Sequence, residues 1–197
     1  MHAPSEDAMP TRILLEGRPG VGKTTAVRRL ASLLHTRTPV GFTTEEIREG
    51  TARVGFALET LDGRRAVLAH VTFPGPPRVG RYGVDLRVMD ELALSALAPL
   101  SPGPGPDPTP APAPGDLALI DELGGMELSS SAFREAVGEL LTADIDVVAT
   151  VHARHDPFTD ALKQRPGIEL VHVTAQNRDA LPGELAARLE TLETPET

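Results

Sequence analysis

Three consecutive apolar residues, Ile13, Leu14 and Leu15, read as a short buried strand over 12–16. The period then changes. After a glycine-rich turn from Gly17 to Gly22, residues Val27, Leu30, Leu33 and Leu34 recur at helical spacing. From Val40 to Val88 alternation dominates, with strands expected over 40–44, 52–61 and 66–73. Val54, Phe56 and Leu58 alternate within the second of these, and Asp62-Gly63 signals a hairpin, because glycine accepts the positive φ such turns demand. Strands and hairpins of this segment are expected to pack on one side of a main sheet. Met89, Leu92, Ala93, Ala96 and Leu97 restore a helical stripe that runs to Leu100.

The second half alternates strand and helix. Strands are expected over 117–121, 145–151 and 168–174, and helices over 131–142, 158–164 and 179–192, the last with Leu181, Leu185, Leu189 and Leu192 in one stripe. Such alternation implies a mainly parallel sheet covered by helices on both faces, an α/β fold. Between Pro99 and Gly115 proline stands at about every second position; it lacks an amide donor and fixes φ, so neither helix nor sheet is expected there. The segment is read as an extended loop, and a protein partner that recognises proline is the functional alternative to a plain insertion. Residues 12–192 are expected to form one domain, with flexible tails at 1–11 and 193–197.

Composition narrows the partners. The formal net charge is −9, and an acidic surface argues against a broad nucleic-acid groove. Tyr82 is the only tyrosine, and aromatic residues are too scarce for a stacking platform. The absence of cysteine excludes disulfides, zinc–thiolate sites and a thiol nucleophile. No apolar run approaches the roughly 18 residues of a membrane span, and 1–11 lack the pattern of a secretory signal. A cytoplasmic protein is the expectation.

The strongest chemical signal is Gly17-Arg18-Pro19-Gly20-Val21-Gly22-Lys23-Thr24, which matches G-x-x-x-x-G-K-[ST] between a buried strand and an amphipathic helix. Glycines let backbone amides turn inward around phosphate oxygens, and the following helix points its positive end at the same anion. Lys23 is assigned to the β- and γ-phosphates and Thr24 to Mg²⁺; Arg18, Pro19, Val21 and Thr25 complete the nucleotide-binding stretch. A second signal is the apolar run from Leu117 to Ile120, which ends in Asp121-Glu122. The C-terminal ends of parallel strands face the ligand crevice. Asp121 is therefore assigned to Mg²⁺, and Glu122 to orienting the attacking water and accepting its proton. Adjacent Asp and Glu favour a hydrolytic arrangement in which another strand separates the loop strand from the Asp strand.

Weaker candidates surround these. Thr150 and His152 are expected beside the γ-phosphate, whereas His152 and His155, as H-x-x-H without a third ligand, read as loop histidines. Asn177 and Arg178 follow the last strand and are candidates to contact the base, with helix capping by Asp179 as the alternative. Glu45, Glu46 and Arg48 are expected just after the second strand, to position water or to pair with one another. Arg81 and Arg178 are both candidates for neutralising transition-state charge.

Six blocks in order, GRPGVGKTT (17–25), GFTTEEIREG (41–50), VGFALETLDG (54–63), VGRYGVDL (79–86), IDELGGMEL (120–128) and VTAQNRDALP (173–182), resemble the THEP1-type nucleoside-triphosphatases. The resemblance covers most of the chain outside its ends and the proline-rich loop. It implies a RecA-like P-loop core with a β-hairpin insertion, Mg²⁺ dependence and hydrolysis of several nucleoside triphosphates, ATP and GTP among them. Two positions depart from the family pattern, which commonly has lysine where Gly125 stands and often glutamate where Gln176 stands. The alternatives to a hydrolase are a nucleotide or small-molecule kinase, which shares the phosphate loop, and a nucleotide-sensing switch. Adjacent Asp121-Glu122 favours water as the acceptor.

Overall fold

Burial that alternates along single strands explains how one sheet organises the chain. In β1 (Arg12–Gly17), Leu14 packs into one core while Ile13 and Leu15 pack into the other. The same division recurs in β7 (Leu117–Leu123), where Ala118 and Ile120 face one side and Leu117 and Leu119 the opposite one. A strand apolar on both faces is stable only between two covering layers. The computed structural model describes residues 9–100 and 117–191, so residues 101–115 of the proline-rich stretch lie outside the described residues, as do 1–8 and 192–197.

The remaining strands are β2 (Val40–Glu49), β3 (Ala52–Thr60), β4 (Arg65–His70), β5 (Arg78–Val79), β6 (Tyr82–Val84), β8 (Asp146–His152) and β9 (Glu169–His172). Among the described residues they form one sheet in the order β5-β6-β4-β3-β2-β7-β8-β1-β9. β2, β7, β8, β1 and β9 run parallel, and β8 separates the loop strand β1 from the acidic strand β7. That is the RecA-like order the acidic pair implied. Helices α1 (Lys23–Leu33) and α5 (Leu181–Thr191) cover one face through Val27, Leu30, Leu185 and Leu189. The helical segment 88–100, which contains α2 (Leu94–Leu97), and α3 (Ser131–Leu140) and α4 (Pro157–Lys163) cover the other through Met89, Leu97, Phe133, Val137 and Leu162. Capping sets two starts: Ser130 Oγ accepts from Phe133 N, and Asp156 accepts from Phe158 and Thr159 N with Pro157 next.

Several expectations are corrected. The segment 40–88 does not stack on one side of the sheet; it continues the sheet edgewise as an antiparallel wing of β2, β3, β4, β6 and β5. β2 extends through Glu49, so Glu45, Glu46 and Arg48 stand within the strand and not beyond it. Charged residues are tolerated there because this half of β2 has no parallel neighbour, its pairing with β7 being confined to Val40–Phe42. Leu33 is 37% exposed, while Leu30 and Leu34 on either side of it pack into the core. The helix predicted over 89–100 is composite, with a π turn over Val88–Ala93, α2, and a 3-10 turn over Ala98–Leu100 that contains Pro99. The last helix begins at Leu181 and not at Asp179.

One glycine fixes the site's geometry. Gly41 has φ 128°, and a Cβ there would fall 1.9 Å from the Leu119 carbonyl oxygen. Only glycine lets β2 approach β7 so closely, and that approach brings Thr44 beside Asp121.

Candidate active site

The C-terminal ends of β1, β8 and β7 meet at one edge of the sheet, with Gly17 in register with His152. From this edge the phosphate loop turns into α1. Gly20 (φ 76°) and Gly22 (φ 114°) hold backbone that L side chains rarely adopt, and a Cβ on Gly17 would lie 2.8 Å from Val21. Ala26 N donates to Gly22 O at 2.9 Å and starts the helix, while the amides before it have no intrahelical acceptor. Lys23 is buried, and its Nζ donates to the Gly17 carbonyl at 3.0 Å, beneath the loop.

β7 delivers the acidic pair. Its register with β8 shifts between Ile120 and Leu123, and the peptide joining Asp121 to Glu122 is cis. Asp121 is fully buried; it accepts from Thr150 Oγ1 at 2.8 Å, from the Thr24 hydroxyl, and more weakly from Thr44 N at 3.4 Å. Burial pushes its carboxyl above the ordinary carboxylate range, while the hydroxyls of Thr24 and Thr150 act in the opposite direction. Glu122 is partly exposed, and its Oε1 is in contact with His152 Nε2. Glu127 is a third carboxyl. It is buried, its Oε2 faces Gly124 on the side where Glu122 also approaches, and burial followed by repulsion from Glu122 raises it to about 8.

These groups border a cavity of about 720 Å³ that Lys23, Thr24, Thr44, Glu122, His152 and Arg154 share. Arg154 follows β8 and, among the described residues, has neither an ion pair nor a side-chain hydrogen bond. A smaller cavity of about 370 Å³ lies against the loop's other flank, bordered by Arg18, Val21, Ala153, Val173, Thr174 and Ala175.

The structure thus brings together Gly17 through Thr25, Asp121, Glu122, Thr150 and His152. It does not bring His155 to His152's partner, because His155 pairs with Asp160. Among the described residues no group of three or more His, Cys, Asp or Glu is arranged to hold a metal. Asn177 closes its own loop, accepting from Thr174 N at 2.8 Å and donating to His172 O at 2.9 Å. Arg178 lies over Gly22 and donates to Val21 O at 3.3 Å. Arg81 is on the wing, donating to the Arg53 carbonyl and stacked on Tyr82. Glu45 pairs with Arg65 at 2.6 Å, and Glu46 with Arg48 at 2.6 Å and Arg53 at 2.7 Å. Sequence reasoning missed Thr44, Glu127 and Arg154. A carboxyl between Met126 and Leu128 was the visible signal for Glu127; the other two carried none, because strand pairing alone brings them to the site.

A phosphate loop leaving β1 of a RecA-like sheet, with an Asp-Glu pair two strands away on β7, defines a P-loop nucleotide-binding protein. Residues 12–186 match the family model described as NTPase, and the chain belongs to that family. It is 40% identical over 174 residues to the nucleoside-triphosphatase THEP1 of Thermotoga petrophila, covering 88% of this chain and 90% of that one. The corresponding protein of Methanothermobacter thermautotrophicus is 39% identical over 171 residues, covering 85% and 90%. Among solved structures, that of THEP1 from the hyperthermophile Aquifex aeolicus superposes with a TM-score of 0.79 at 33% identity, over 91% of this chain and 99% of the other. The solution structure of a human cancer-related nucleoside triphosphatase gives 0.75 at 31% identity, over 93% and 100%. Among the described residues, no helix is long and apolar enough to cross a membrane.

Proposed function

We propose that this chain hydrolyses nucleoside 5′-triphosphates, ATP and GTP among them, to the diphosphate and phosphate, with Mg²⁺ as cofactor. The observation that carries this reading is the hydroxyl of Thr24 on the buried carboxyl of Asp121, at the mouth of the phosphate loop. A hydroxyl and a carboxylate are hard oxygen donors. Two such protein ligands suit Mg²⁺, which keeps its waters and takes the rest of its shell from phosphate. Thr24 and Asp121 would hold the ion, which supplies neutralisation of charge on the β- and γ-phosphates.

The chain's own residues do the rest. Loop amides from Gly17 to Thr25 and the Lys23 ammonium bind the phosphates. Glu122 orients a water and takes its proton as the oxygen attacks the γ-phosphorus, and His152 holds the Glu122 carboxylate in place. Thr150 fixes Asp121 through its hydroxyl at 2.8 Å and offsets part of the upward pull of burial on that carboxyl. Arg154, without an ion pair or side-chain hydrogen bond among the described residues, meets the charge that develops on the γ-phosphoryl oxygens. Arg178 braces the loop over Gly22, and the base lies toward Asn177 and Arg178. The smaller cavity there has aliphatic walls from Val21, Ala153, Val173 and Ala175, which favour stacking over base reading, and broad base tolerance follows.

Phosphate release measured with Mg²⁺ and each nucleoside triphosphate tests this, comparing wild type with Glu122→Gln and Lys23→Ala. Glu122→Gln is expected to bind nucleotide and turn over poorly, and Lys23→Ala to lose binding. Full activity in either variant would contradict the assignment.

A further inference from the structure

Lys163 is the last residue of α4, and only 11% of its side chain is exposed. Its Nζ meets three acceptors: the His152 carbonyl at 2.9 Å, Glu16 Oε1 at 2.8 Å and Asp160 Oδ1 at 3.3 Å. An ammonium carries three N–H donors, so each finds one acceptor. Two of these acceptors belong to strands of the active edge. Glu16 directly precedes Gly17 on the phosphate-loop strand β1, and His152 ends β8.

The two ends are not held alike. Glu16 lies between β8 and β9, in register with Val151 and His172. Its carbonyl accepts from Val173 N at 2.7 Å, and its Oε2 meets His172 Nδ1 at 2.8 Å. His152 has β1 on one side, opposite Gly17, whereas the pairing of β7 with β8 reaches only Val151. The Nδ1 of His152 is buried and has no hydrogen-bond partner among the described residues. A working histidine is usually oriented by a bond to its second ring nitrogen. Here the ring is placed through its main chain instead, and Lys163 ties that main chain to the better-held strand.

We propose that Lys163 is a positioning residue for hydrolysis: by fastening the His152 carbonyl to Glu16, it sets where His152, and through it Glu122, stands relative to the phosphate loop. This rests on the hydrolase reading, in which Glu122 is the base. Lys163 does not border either cavity at the loop, so its effect passes through His152. Phosphate binding has its own anchor, because Lys23 Nζ holds the Gly17 carbonyl at 3.0 Å.

The test measures steady-state phosphate release from ATP with Mg²⁺, and the melting temperature, for wild type, Lys163→Met, His152→Ala and the double variant. Lys163→Met keeps most of the stem and removes the ammonium; kcat is expected to fall about fivefold with KM unchanged to within about twofold. In the His152→Ala background the same substitution is expected to cost no more than about twofold in kcat, because the residue it acts through is gone. A lysine that only supports the fold would lower the melting temperature and give kcat losses that multiply in the double variant. Multiplying losses, an unchanged kcat, or a change confined to KM each overturn the positioning role and leave the hydrolase reading standing. Should Lys163→Met not fold, Lys163→Gln, which retains a donor toward Glu16, enters the same cycle under the same criteria. Absence of phosphate release by wild type overturns the hydrolase reading and this one with it.

Discussion

Glu122 and His152 meet across the ends of two neighbouring strands, β7 and β8, with Oε1 of one in contact with Nε2 of the other. A carboxylate held in this way is fixed before substrate arrives, and fixed geometry is what general-base catalysis needs. His152→Ala is expected to lower kcat about tenfold by loosening Glu122, while Glu122→Gln lowers it ~10²- to 10⁴-fold by removing the base. Single-turnover phosphate release separates the two. Equal losses in both variants would mean that His152 has a role of its own and does not act through Glu122.

Arg154 borders the cavity without a partner among the described residues, whereas Arg81 is engaged by the Arg53 carbonyl and the Tyr82 ring. A free guanidinium near the γ-phosphate stabilises charge that grows in the transition state, which shows in kcat more than in KM. Arg154→Ala is expected to reduce kcat about 10²-fold with little change in KM, and Arg81→Ala to leave kcat nearly unchanged. Steady-state kinetics in which Arg81→Ala is the damaging change would reverse the assignment.

Glu127 gives stability a pH dependence. Its carboxyl is raised from 4.5 to about 8 in the folded chain, first by burial and then by Glu122. A raised carboxyl retains its proton in the native state where the unfolded chain has lost it. Its contribution to stability is therefore complete below the unfolded value and is lost as pH rises toward the folded one. In urea unfolding without nucleotide, wild type is expected to lose stability between about pH 4.5 and pH 8 relative to Glu127→Gln, whose side chain stays neutral. Parallel profiles for the two proteins would show that Glu127 is not held protonated.

Far from the active edge, Arg37 and Asp146 form a buried ion pair at 2.6 Å, and Asp146 also accepts from Thr11 N at 2.5 Å. The pair ties the segment before β2 to the start of β8. Removing Asp146 deletes this buried carboxylate contact, while Arg37 keeps its bond to the Leu189 carbonyl at 3.1 Å. Asp146→Ala is expected to cost about 1.5–3 kcal/mol, read from the denaturation midpoint, with the nucleotide affinity of the protein that remains folded unchanged. A loss below about 1 kcal/mol, the range of exposed pairs, would mean that water reaches this site.

Local signals in the sequence determined the strand–loop–helix that holds phosphate, the acidic run ending at Asp121-Glu122, and the alternation that makes the sheet mainly parallel. Each depends on residues close together in the chain: glycines at fixed spacing, apolar runs, and periods of two or 3.6. Tertiary structure alone decided what joins them. Edgewise growth of the wing from β2, the approach of β2 to β7 at Gly41, and the meetings of Thr44 and Thr150 with Asp121 and of His152 with Glu122 are contacts between distant segments. A strand's alternation states which face it buries and says nothing of the strand it will lie beside; that choice is made by packing against the whole sheet.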